Sequence, residues 1–126
     1  MALPKKAIKI LRDVQKCILA EPELYDQNVM PDAHHSCTTP CCIAGWVEWC
    51  ANPDARAYRR KLKKRGRFCG EEMAETLGIS ESQARQLYTD ATWSWTPAWT
   101  QPGTKAAALD GAAHIGRFIK SGGNLL

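Results

Sequence analysis

The sequence predicts an all-α protein, a single domain spanning residues 1–126 and built of about six helices around one core. Three observations point there. Apolar residues recur at spacings of three and four in several segments, as one face of a helix requires. No segment shows the sustained alternation of a half-buried strand. Ser, Thr, Pro and Gly punctuate the chain where helices start and stop. With 126 residues, 44% of them apolar, the chain can bury roughly two thirds of its unfolded surface, enough for one core and too little for two. No internal repeat is visible.

The elements follow in order. Residues 4–20 read as a first helix, with Ala7, Ile10, Leu11, Val14, Cys17 and Ile18 on one stripe and Lys5, Lys9, Arg12, Asp13 and Lys16 off it. Glu21-Pro22 should end it, because proline disfavours helical geometry at the residue before it. Residues 22–38 look irregular, pinned by Leu24, Tyr25 and Met30. Thr39 as N-cap with Pro40 at the first helical position predicts a second helix from Pro40 to about Ala51. Asn52-Pro53 repeats that signature and opens a third, strongly basic helix closed by Gly66. A fourth helix is expected over about 70–77 and is stopped by Gly78. Ser80 and Gln83 then form a capping box for a fifth helix reaching about Thr89. Ala91–Gly103, with three tryptophans and two prolines, reads as a loop. Thr104 caps a last helix that aligns Ala108, Ala112, Ile115 and Ile119 and ends near Gly122-Gly123.

Charge is the most polarised property of the chain. Arg56, Arg59, Arg60, Lys61, Lys63, Lys64, Arg65 and Arg67 fall within twelve residues that contain no acid. They are eight of the seventeen basic residues, so the remaining 114 residues carry nine positive and thirteen negative groups, a net −4 beneath the formal +4 of the whole. Like charges three and four residues apart on a helix repel, and a bound anion would offset that repulsion. The expected partner is therefore an acidic protein surface or a nucleic-acid backbone. Tyr58, Leu62 and Ala55 make too narrow an apolar stripe for an interfacial membrane helix. Trp93, Trp95 and Trp99, in their proline-bearing loop, can stack on bases, anchor a protein partner or lid the core.

The N-terminal Met1-Ala2-Leu3-Pro4-Lys5-Lys6 starts like the charged region of a signal peptide. Lys9, Arg12, Asp13, Gln15 and Lys16 break the apolar run that should follow. The expected compartment is the cytoplasm, or the host cytoplasm if the chain is phage-encoded, and there the six cysteines should be reduced.

Among those cysteines, the string Cys37-Thr38-Thr39-Pro40-Cys41-Cys42-Ile43-Ala44-Gly45-Trp46 admits three readings. In the first, Cys42, Ile43, Trp46, Val47 and Cys50 are core, and Thr39-Pro40 merely opens a helix with Cys41 and Cys42 in its first turn. In the second, His34, His35, Cys37, Cys41 and Cys42 supply a zinc site, although a second short-spaced ligand pair is lacking. In the third, Cys41 or Cys42 is a nucleophile activated by His34, His35 or His114. The core reading leads, so the expectation is no cofactor, no metal and no catalytic residue.

The same string resembles a Cys-Gly-Thr-x-x-Cys-Ile-Ala-Gly-Trp-like motif in a family of small, uncharacterised bacterial and phage proteins. Cys37, Thr39, Cys42, Ile43, Ala44, Gly45 and Trp46 carry that resemblance. A second block, Leu77, Gly78, Ile79, Gln83, Ala84, Leu87 and Tyr88, and a closing Ile115, Phe118 and Ile119 extend it along most of the chain. Thr38 stands where the motif has glycine, and Cys41 where it has a small residue, which argues against Cys41 as a required ligand. The resemblance implies a shared fold and a bacterial or phage origin. It implies no activity.

Residues 70–88 also fit the offsets of a DNA-reading helix-turn-helix, with Ala74, Gly78, Ile79, Ala84 and Leu87 in the alanine, turn and apolar slots. Charge opposes that alternative: residues 70–90 hold five acids against Arg85 alone, and Glu81 would face the phosphates.

Overall fold

The computed structural model describes residues 3–27, 42–51, 69–88 and 96–125, in which six α-helices and one 3-10 turn appear and no strand. The all-α expectation holds. Helix α1 is Lys5–Ala20, α2 Ile43–Ala51, α3 Cys69–Leu77, α4 Glu81–Tyr88, α5 Pro97–Thr100 and α6 Lys105–Lys120. The two sixteen-residue helices, α1 and α6, pack along one another. The α2 helix lies against α1 and α3, α3 against α4, and α5 against α6. Among the described residues no helix is long and apolar enough to cross a membrane.

The stripe on α1 is buried as its spacing requires. Ala7, Leu11, Val14 and Ile18 are fully enclosed, and Leu3 just before the helix continues the line. Ile10 and Cys17, one position off the centre of the stripe, are only partly covered. From the other long helix come Ala107, Ala108, Ala112, Ile115 and Phe118. Gln15 of α1 ties the two together, its Nε2 donating to the Ala112 carbonyl at 2.8 Å.

The α1 helix ends at Glu21, as the Glu21-Pro22 pair predicts, but the chain does not become irregular at once: Pro22–Leu24 makes a 3-10 turn. Tyr25 then drops fully into the core. Its ring lies so close to α6 that a Cβ on Gly111 would sit 2.6 Å from its hydroxyl oxygen, which is why that helix position is glycine.

Two boundaries differ from expectation. The second helix begins at Ile43 rather than Pro40, with Cys42 just outside it accepting the first helical bond from the Trp46 N–H. Residues 39–41 lie outside the described set. The Ala91–Gly103 loop contains a short helix, α5, which sequence reading missed. Its Pro97 sits in the first turn, and the Ala98 N–H donates to the Asp110 carboxylate of α6 at 3.0 Å. The cap comes from across the fold, so nothing local announces it. Elsewhere caps fall as read. Thr104 Oγ1 accepts from the Ala107 N–H at 3.1 Å, and Ser80 Oγ accepts from the Gln83 N–H at 3.1 Å while Gln83 Oε1 accepts in return from the Ser80 N–H.

Candidate functional site

The sequence-predicted contact residues divide sharply. Arg56, Arg59, Arg60, Lys61, Lys63, Lys64, Arg65, Arg67, Trp93 and Trp95 lie outside the described residues, as do His34, His35, Cys37 and Cys41. The basic stretch is attached at both ends to described elements: it follows Ala51 at the end of α2 and precedes Cys69 at the start of α3, two helices that pack on one another. Trp99 is placed. It sits on α5, half-buried against the core, and offers only part of its indole for contact.

Helices α2 and α3 each carry a buried carboxylate that sequence reading missed. Glu48 interrupts the apolar run of α2 and is 3% exposed, while Glu72 on α3 is 5% exposed. Thr76, one turn beyond Glu72, donates its hydroxyl to the Glu48 carboxylate. A carboxylate withdrawn from water needs hydrogen bonds or a cation. The only signal in the sequence was a lone charge inside Ile43–Cys50.

Cys42 is fully buried. It precedes α2 rather than occupying the third position inside it, which corrects the expected placement in the first turn. The neighbouring Ile43 N–H, one of the donors a helix start leaves open, is taken by the side chain of Gln27 at 3.2 Å. The same Oε1 accepts from the Tyr25 hydroxyl at 2.8 Å, and the Gln27 Nε2 donates to the Leu87 carbonyl of α4 at 3.3 Å. One buried amide thus joins the 3-10 exit, the start of α2 and the end of α4. Burial, then the nearby Cys42, Asp110 and Asp26, pushes the Tyr25 phenol well above its ordinary range, so it stays a donor.

His114 lies on α6 and is 1% exposed. Its Nε2 is 2.6 Å from the Gln86 carbonyl of α4, and because a carbonyl only accepts, that nitrogen carries the ring proton. Burial first, with Arg117 adding to it, pushes the imidazole down to about 4 against the opposing pull of the Gln86 carbonyl and Asp110. The Gln86 amide in turn holds the C-terminal segment, donating to the Gly123 carbonyl at 3.2 Å and accepting from the Leu125 N–H at 2.7 Å. His114 therefore has an evident packing role. Among the described residues no group of three or more His, Cys, Asp or Glu is placed to hold a metal.

The helix pair over 69–88 is present. Gly78 turns the chain at φ 72°, with the Ile79 N–H reaching back to the Ala74 carbonyl at 3.0 Å. Met73, Ala74, Leu77, Ala84 and Leu87 are buried, so the apolar pattern is accounted for by packing. Glu81, Ser82 and Arg85 of α4 are exposed. An acid therefore stands at the start of the helix that would enter a DNA groove.

Comparison of the chain with protein-family models, with curated proteins and with solved structures finds no match.

Proposed function

We propose that this is a small non-enzymatic binding protein of bacterial or phage accessory type, acting in the cytoplasm. It grips an acidic macromolecular partner, a protein surface or a nucleic-acid backbone, through the basic residues between Arg56 and Arg67, assisted by Trp93, Trp95 and Trp99. The segregation of charge carries the reading: eight cations without an acid on a remainder of net −4. Such a field raises encounter rates with a negative surface and makes binding salt-dependent. The bacterial or phage setting comes from the motif resemblance around Cys37–Trp46.

The deciding experiment is capture from host lysate with and without nuclease, using the native chain beside a variant carrying Arg59→Glu, Arg60→Glu, Lys63→Glu and Lys64→Glu. The native chain should retain a partner that the variant loses, while helicity and melting stay largely unchanged. If nucleic acid is the partner, five to seven phosphate contacts give a log–log salt slope of roughly −4 to −6 on duplex DNA. Equal capture by both forms would remove the basic stretch from the account.

A second reading, a DNA-binding regulator using α3 and α4, is favoured by one observation: the two helices do form and meet at the Gly78 turn. Sequence-selective retention of duplex DNA at physiological salt would support it. Indiscriminate, salt-labile retention would support backbone binding by the basic stretch.

A further inference from the structure

Two cysteines assigned separately to the core meet across the α1–α2 interface. Cys17, in the last turn of α1, and Cys50, one residue from the end of α2, place their sulfurs 3.7 Å apart. Both are free thiols and both are partly exposed, so a small oxidant can reach them. Cys42 is fully buried. The Cys50 S–H donates to the Cys17 sulfur. Cys17 is thus the acceptor, while burial and the adjacent Cys17 push Cys50 up to about 12.

We propose that Cys17 and Cys50 are a redox-convertible pair that closes to a disulfide and staples α1 to α2. The oxidant is a low-molecular-weight disulfide. Cys17 gives its proton to water and its sulfur attacks one sulfur of that disulfide, the external S–S bond breaks, and a thiolate leaves with the electron pair and takes up a proton. Cys50 then gives its proton to water and attacks the Cys17 sulfur, expelling the second small thiol. Two protein thiols are oxidised and one small disulfide is reduced to two thiols, so the step balances. The bond would close a loop with 33 residues of sequence separation. Restricting the unfolded chain to that extent corresponds to a rise in Tm of about 10 °C. Because Cys50 is so near the end of α2, the staple would also anchor the point from which the chain continues into the basic stretch.

The test uses the full chain equilibrated in oxidised glutathione, with mass spectrometry of non-reduced peptides and thermal melting. The expected result is a cross-link between the peptides containing Cys17 and Cys50, and a Tm rise of about 10 °C that dithiothreitol reverses. Cys17→Ser and Cys50→Ala should each abolish both the cross-link and the rise. A lasting glutathione adduct on either residue, pairing with a different cysteine, or a cross-link without a rise in Tm would each overturn the proposal.

Discussion

Replacing Gln27 by leucine removes three hydrogen bonds at nearly constant volume. The Tyr25 hydroxyl and the Ile43 N–H, at 2.8 and 3.2 Å, lose their shared acceptor, and the Leu87 carbonyl loses a longer bond at 3.3 Å. Each buried group left without a partner costs about 1–3 kcal/mol, and the added apolar side chain returns part of it. Gln27 is 1% exposed, so water cannot step in without opening the site. The two shorter bonds dominate, and the expected loss is about 3 kcal/mol. Urea denaturation should show a lower midpoint at an unchanged slope, which reports stability rather than a change in the surface exposed. Adding Tyr25→Phe removes the orphaned hydroxyl, so the double variant should be more stable than the sum of the single losses implies by about 1 kcal/mol. A loss below about 1 kcal/mol, or strict additivity, would refute the claim that this amide joins the three segments.

Further expectations concern packing, titration and capping. Gly111→Ala should cost about 2 kcal/mol, because its Cβ would fall 2.6–2.8 Å from Tyr25 atoms that the Gln27 bond holds in place. Gly116→Ala, whose Cβ would meet Gln15 Nε2 at 3.5 Å, should be neutral or stabilising by up to about 1 kcal/mol, both read by chemical denaturation. His114 is a base whose folded value is depressed, so the unfolded chain takes up the proton first. Its contribution is complete above the ordinary value of 6.5 and is lost as pH falls towards about 4, amounting to roughly 3 kcal/mol. In His114→Gln that part of the stability–pH profile should flatten. Thr104→Ala removes the cap on the Ala107 N–H and should lower stability by about 1 kcal/mol in the same measurement.

What was legible in the sequence is what local chemistry decides. The α1 stripe, the Ser80–Gln83 box, the Gly78 turn and the Thr104 cap each need only neighbours within a few residues. What was misread depends on partners supplied from elsewhere. Thr39-Pro40 is a sound local start signal, yet α2 begins at Ile43, where Gln27 receives the N–H from sixteen residues upstream. The α5 helix went unseen because its capping carboxylate, Asp110, lies twelve residues downstream in another helix. The burial of Glu48 and Glu72 was not legible, since burial of an acid follows from which helix faces which. For the candidate site, the charge polarity and the apolar placement of Cys17 and Cys50 were readable, but the proximity of the two thiols was not. A 3.7 Å approach between residues thirty-three apart is a product of helix packing.

The double engagement of Gln86 makes the tail a reporter on the interior. Its carbonyl faces His114, while its side chain clasps Gly123 and Leu125. Charging the imidazole, which burial holds off until the pH approaches about 4, places a cation in the interior beside that helix turn, one residue's length from the contacts to Gly123 and Leu125. The Leu125 amide signal in NMR should therefore shift as the pH approaches about 4, before the helices melt, turning an inner ring's proton balance into a change at a distant backbone group.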